Sequence, residues 1–238
     1  MKKREVARLR VLSLCMSVAM LCTNVPANMI GSVIGSDVGA LSNVSAASTD
    51  YGLMDNIQDG TILHCFDWKY SDIEAELENI AEAGFTSIQT SPAQRNNSFD
   101  SPWYMMYQPQ NFAISTNPLG TKEELQSLCE EAEKYGIKVI VDVVANYTRG
   151  MEGENGDIDN DLRNRDFFRY DNENLTEDWK SRYYVYSTNI GMRDLKSENL
   201  EVQKIVSDYV LELESVGVDG IRWDAAKHIQ LPSEGSQF

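Results

Sequence analysis

Positive charge is scarce in this chain: 21 lysines and arginines stand against 37 aspartates and glutamates in 238 residues, a formal net charge of −16. The basic residues are also unevenly spread. Residues 1–47 hold five of them against two acidic side chains, which leaves −19 on the remainder. So acidic a surface repels phosphate backbones, so nucleic acid is a poor partner and neutral or cationic ligands are favoured. Cysteine is scarce too, at four, and only Cys65 and Cys129 lie beyond the N-terminal region. Two cysteines make no disulfide framework. Cys65 sits in an apolar stretch and Cys129 on an apolar helical stripe, so buried free thiols are expected. The apolar run Val11 to Cys22 is too short to span a bilayer comfortably. No Gly-rich phosphate loop follows the first strand-like segment; DWKYSD stands there instead, which disfavours a dinucleotide fold.

What is present begins with a basic start, that apolar run, and then small and polar residues, the layout of a secretory signal. Cleavage after Val25-Pro26-Ala27 competes with cleavage after Ser45-Ala46-Ala47. The second is preferred, because the chain between them shows no core-forming period. A lipid anchor on Cys22 is disfavoured by the bulk of Leu21, and an uncleaved anchor is the blander alternative. The expected organisation is a leader over residues 1–47 and one domain over 48–238, exported, with no stable membrane association once the leader is removed.

From residue 60 one unit recurs. TILHCF, FTSIQTSP, IKVIVDVV and VDGIRWD read as buried strands. Between them run helical patterns. SDIEAELENIAEAG has Ser71 and Glu74 as a capping box and Ile73, Leu77, Ile80 and Ala81 as a stripe. TKEELQSLCEEAEKYG has a box at Thr121 and Glu124 and a stripe of Leu125, Leu128, Cys129 and Ala132. EVQKIVSDYVLELESVG carries Val202, Ile205, Val206, Tyr209, Val210 and Leu213 on one face. Each helix ends in Gly and feeds a strand, the grammar of parallel βαβ units. A doubly wound sheet and a closed barrel both remain open. Polar and aromatic residues gather just after strand ends, where a (β/α) barrel builds its site. Four strands are half of such a barrel. Two connections, 92–120 and 147–193, are too long for plain turns.

Three groups of residues carry chemistry. Side chains alternate along a strand, so Gly220, Arg222 and Asp224 share a face. A guanidinium beside Asp224 favours the ionised carboxylate, which suits a glycosidase nucleophile; a structural Arg–Asp pair is an equal alternative. Asn146 and Asp194 are oxygen donors that, with backbone carbonyls, suit a calcium site; from spacing alone, local turn capping is the stronger alternative. SPWYMMYQP places Trp103, Tyr104 and Tyr107 beside the barrel mouth, with Gln108 able to meet hydroxyls. Such rings stack on sugars or simply pack on the rim.

From about Asp59 to the last residue the chain resembles secreted bacterial α-amylases of glycoside hydrolase family 13. LHCFDW and FTSIQTSP resemble the first two strands, WYMMYQP the aromatic subsite loop, VDVVANY the third-strand motif and GIRWDAAKHI the nucleophile motif. The last is highly specific. The 30-residue spacing between Asp194 and Asp224 fits as well. The resemblance implies an α/β fold, a partial (β/α)8 TIM barrel of the first four βα units, with a short inserted subdomain over 147–193 after strand 3. It implies Asp224 as nucleophile and Arg222 as its orienting partner. It also implies Trp103, Tyr104, Tyr107, Gln108, Tyr147, Lys227 and His228 as substrate-binding residues. Calcium (Ca2+) would be held by Asn146, Asp194 and His228, the last through its carbonyl. The implied activity is endo-cleavage of α-1,4 bonds in starch with retention, by a monomer.

Two departures qualify this. Tyr147 stands where the family has His, so altered binding of the transition state is expected. The family's general acid lies on a later strand, and Glu234 does not match its motif, so this chain alone is expected to have little or no activity. The rival expectations are another α-glucan hydrolase of the superfamily, a non-catalytic glucan-binding protein, and a barrel enzyme of unrelated chemistry.

Overall fold

The four apolar stretches form four parallel strands: β1 (Ile62–Cys65), β2 (Ser87–Thr90), β3 (Lys138–Val144) and β4 (Gly220–Asp224). The computed structural model describes residues 50–96, 102–149, 158–169 and 178–236. The leader expected over 1–47 lies outside the described residues. The sheet order is β1-β2-β3-β4, so every strand lies beside its sequence neighbours and the order never reverses. A doubly wound sheet reverses at a switch point, whereas a barrel wall advances strand by strand. This is four consecutive staves of a (β/α)8 barrel. β1 and β4 form its two margins, and Ile62 on β1 is 46% exposed.

The helices cover the outer face of the sheet. Thr121 and Glu124 form the expected reciprocal cap of α3 (Lys122–Tyr135), and Gly136 closes it at φ 75°, a left-handed turn that a side chain would resist. Leu125, Leu128, Cys129 and Ala132 are all buried. Asn199 caps α5 (Leu200–Ser215), which buries Val202, Val206, Tyr209 and Leu213. The first helix departs from expectation. It breaks at Glu76 into α1 (Tyr70–Ala75) and α2 (Leu77–Glu82), and its N-cap is Lys69, without a side-chain cap. Ser71 is therefore inside the helix. The Tyr70 N–H donates to the Leu119 carbonyl at 2.9 Å, so a tertiary contact sets the start two residues earlier than the polar pattern implies.

Two apolar clusters result among the described residues. The larger joins the sheet to the helices and holds both thiols, Cys65 and Cys129, as free buried cysteines. Burial pushes them up to about 11 and about 12, so both stay protonated. The smaller cluster comprises Ile158, Leu162, Phe167, Phe168, Leu195 and Val202. It gives the segment after β3 a core of its own, which α5 helps to close. Among the described residues no helix is long and apolar enough to cross a membrane. One close approach is set by Gly60: a Cβ there would lie 1.8 Å from Thr86 Oγ1, the atom that accepts from the Thr61 N–H at the entry to β1.

Candidate active site

The register of β3 against β4 places Asp142 opposite Arg222 and Val144 opposite Asp224. Asp142 and Arg222 therefore meet across the ladder on one face of the sheet. Arg222 Nη1 donates to Asp142 Oδ1 and Oδ2 at 3.0 and 2.9 Å, and also to Asp224 Oδ1 at 2.8 Å. The Tyr107 hydroxyl donates to Asp142 Oδ2 at 3.0 Å, and the Tyr147 hydroxyl donates to Asp224 Oδ2 at 3.1 Å. Arg222 and Tyr147 thus hold Asp224 directly, while Asp142, itself tied to Tyr107, holds Arg222.

The electrostatics follow from burial. Asp142 is fully buried, which pushes its carboxyl above the usual range; Arg222 and the Tyr107 hydrogen bond pull the other way. Burial and the Asp142 carboxylate push the Tyr107 phenol up. Burial and the Asp224 carboxylate do the same to Tyr147. Both phenols stay protonated and serve as donors. Asp142 joins this network although its place in the sequence alone assigns it no role. Its signal was a lone charge in an apolar strand, on the face shared with Asn146.

The sharp geometry at the strand ends is local. Ala225, directly after β4, has φ 49°, and Asp67, just after β1, has φ 62°. Non-glycine residues in this region are strained, and such positions concentrate at functional sites. Gln94 secures the end of β3. Its side-chain amide exchanges two 3.0 Å hydrogen bonds with the Val144 backbone, in the manner of an extra strand.

Around Asp224 opens a cleft of about 380 Å³, lined by Phe66, Trp103, Tyr104, Tyr107, Gln108, Tyr147, Met192, Arg222 and Asp224. The loop Trp103–Tyr107 is a 3-10 turn anchored by buried Met106. Trp103 remains 56% exposed and Tyr104 48%, so their faces are open rather than packed on the rim. Phe66 stacks on Tyr107 with ring centres 6.4 Å apart and meets Trp103 edge-on at 5.5 Å. Phe66 and Met192 were not anticipated. Phe66 stands directly after β1, at the barrel mouth; for Met192, within the long insertion, the sequence gives no local signal.

Lys227 and His228 lie outside this lining. Lys227 Nζ sits 5.0 Å from the centre of the Trp179 ring, and the His228 side chain is 2% exposed, edge-on to the same ring. The His228 ring is buried beneath the insertion, against Trp179 rather than in the lining of the cleft. Glu234 is also accounted for. Arg182, at the start of α4 (Arg182–Ser187), grips it through Nε and Nη2 at 2.7 and 2.8 Å. The guanidinium holds the Glu234 carboxyl below its usual range, which makes it an ionised structural partner and a poor proton donor. Arg182 also donates to the carbonyls of Lys227 and Ile229, so it fastens the insertion to the segment after β4.

Asn146 and Asp194 come together. The Leu195 N–H donates to the Asn146 carbonyl at 2.6 Å, and Tyr147 forms a backbone bridge with Asp194. Both side-chain atoms of Asn146, Oδ2 of Asp194 and both ring nitrogens of His228 are buried without a hydrogen-bond partner among the described residues. His228 Nδ1 is 3.7 Å from Asp194 Oδ2. Burial pushes the Asp194 carboxyl up to about 6, opposed by the neighbouring Asn146 side chain and the Ile190 N–H. Among the described residues no three His, Cys, Asp or Glu side chains gather around one point, so any cation here would rely on amide and carbonyl oxygens as well.

Comparison with known proteins agrees with this geometry. Residues 67–237 match the alpha-amylase catalytic domain family. The chain is 35% identical over 190 residues to an alpha-amylase of Clostridium acetobutylicum, covering 77% of this chain and 25% of that protein. It is 31% identical over 194 residues to an alpha-amylase of Butyrivibrio fibrisolvens, covering 76% and 20%. It therefore spans about a quarter or less of the length of these two relatives. Among solved structures, alpha-amylase I of Eisenia fetida superposes with a TM-score of 0.65 at 24% identity, covering 74% of this chain and 39% of that one. The alpha-amylase of Geobacillus thermoleovorans, complexed with acarbose, superposes with a TM-score of 0.62 at 26% identity, covering 73% and 42%. On the strength of the match over residues 67–237, the chain belongs to the alpha-amylase catalytic-domain family of glycoside hydrolases.

Proposed function

We propose that this chain supplies the nucleophile side of a retaining endo-hydrolase for α-1,4-glucosidic bonds in starch. The observation that carries the reading is Asp224: a carboxylate with both oxygens held, facing an open aromatic-walled cleft. Its attack on a sugar C1 would form a glycosyl ester and displace the leaving oxygen. Phe66, Trp103, Tyr104 and Tyr107 offer apolar faces to sugar rings, and Gln108 offers an amide to hydroxyls. The acidic chain suits a neutral polysaccharide. We extend the proposal to export, with residues 1–47 as the leader and 147–193 as the inserted subdomain.

Retaining hydrolysis also needs a proton for the leaving oxygen. Among the described residues lining the cleft, Asp224 is the one carboxyl, and it is committed as nucleophile. Starch turnover by this chain alone should therefore be weak or absent. The test uses a leaving group that needs no proton. α-Maltosyl fluoride should release fluoride with the wild-type chain and not with Asp224→Asn. A non-catalytic glucan-binding protein predicts the contrary: retained maltohexaose binding with no fluoride release from either.

Calcium suits the buried, unpartnered oxygens of Asn146 and Asp194. Asn146, Asp194 and the His228 carbonyl would hold it, all through oxygen, which is the donor chemistry a hard divalent cation prefers. A cation would stabilise the Asp194 carboxylate that burial disfavours and would occupy the unpartnered Asn146 oxygen. Its contribution would be to pin the insertion, and with it Met192 and Tyr147, against the strand ends.

A further inference from the structure

A carboxylate that must attack along one direction needs its plane fixed, and a two-pronged arginine would fix it. Arg222 does not provide that grip. It reaches Asp224 through Nη1 alone, at Oδ1 and 2.8 Å, and the same nitrogen also serves both oxygens of Asp142. One contact leaves the Asp224 carboxylate free to turn about its Cβ–Cγ bond. The second contact comes from elsewhere: the Tyr147 hydroxyl donates to Oδ2 at 3.1 Å.

The anchor of that phenol is firm. Tyr147 is 6% exposed, its backbone bridges Asp194, and the preceding carbonyl, that of Asn146, accepts from the Leu195 N–H at 2.6 Å. The ring therefore arrives at Asp224 from a fixed point just beyond β3.

The geometry points to Tyr147 as a positioning residue for the nucleophile: its hydroxyl and the Arg222 guanidinium hold one oxygen each of Asp224, so the carboxylate plane is set before a sugar arrives. This rests on the hydrolase reading above and departs from the direct substrate contact expected for position 147. Each Asp224 oxygen keeps a lone pair free for attack. With a glycosyl fluoride, the bond from Asp224 to C1 forms, the C1–F bond breaks and fluoride leaves with its electron pair. The phenolic proton stays on Tyr147.

The test labels the full chain with an α-maltosyl fluoride bearing a second fluorine at C5 of the reacting sugar, whose ester hydrolyses slowly enough to be weighed by intact mass spectrometry. Tyr147→Phe should lower the saturating labelling rate about tenfold, the scale of one lost hydrogen bond. The half-saturating concentration and the melting temperature should be unchanged. A raised half-saturating concentration at an unchanged rate would place the hydroxyl on the sugar and overturn the inference. Equal labelling of both proteins would overturn it as well, while leaving the hydrolase reading intact. No label on the wild-type chain sinks that reading and the inference with it. A second measurement leaves Tyr147 in place. In protein carrying 13Cζ-tyrosine, Asp224→Ala should move the Tyr147 resonance and leave that of Tyr107, which is tied to Asp142; an unmoved Tyr147 resonance contradicts the inference.

Discussion

Replacing Asp142 with alanine should slow glycosyl transfer to Asp224 about 100-fold, because a displacement of the order of 1 Å at a reacting group has that effect. Asp142 makes no contact with a substrate in this reading. It is the fully buried acceptor of two contacts from Arg222 and one from the Tyr107 hydroxyl. Without it the guanidinium is free to swing wholly onto Asp224 or out to solvent, and the aromatic loop loses its polar tie to β3. Stability should fall as well. Removing one partner of a buried ion pair costs about 3–5 kcal/mol, and because the Arg222 side chain is 46% exposed and stays solvated, about 2 kcal/mol is expected here. Asp142→Asn separates the two effects: it keeps an acceptor for Tyr107 and the side-chain volume but loses the charge. Labelling rate and denaturant midpoint, measured on both variants, decide the matter. An Asp142→Ala chain that labels at the wild-type rate would show that Asp142 plays no part in orienting Asp224.

Calcium should raise the melting temperature by about 8 °C at a hundredfold excess over its dissociation constant, which corresponds to about 2.7 kcal/mol for a chain of this size. Chelation should reverse it. Asn146→Ala should abolish the response while costing little in calcium-free buffer, since both of its side-chain polar atoms lack partners within the described residues. That pairing of outcomes is specific. A purely structural Asn146 would give the opposite pattern, with a loss of stability that calcium does not influence. A melting temperature indifferent to calcium in the wild-type chain would remove the metal from this account.

Much of this was legible in the sequence because periodicity reports burial directly. The stripe of α3, its cap at Thr121 and Glu124 and its stop at Gly136 are local facts, and the structure repeats them. The cap expected at Ser71 failed because the start of α1 is set by Leu119, almost fifty residues away in the chain. The alternation of β4 correctly put Arg222 and Asp224 on one face, yet it could not show how the guanidinium divides its contacts. That division depends on the register of β3, which brings Asp142 opposite Arg222. The destination of the Tyr147 hydroxyl was hidden for the same reason. Residue type says that a phenol donates; only the bridge to Asp194 fixes where. The burial of the His228 ring against Trp179 was not legible, because motif position does not report what covers a side chain and Trp179 comes from a connection without periodicity.

The most direct measurement is to digest the labelled wild-type chain and locate the sugar by tandem mass spectrometry. The ester should lie on Asp224 within the peptide that contains residues 218–229, and disappear in Asp224→Asn. A stable sugar adduct on any other side chain, formed at the same rate when position 224 is asparagine, would mean that the carboxylate at the end of the fourth strand is merely half of an ion pair.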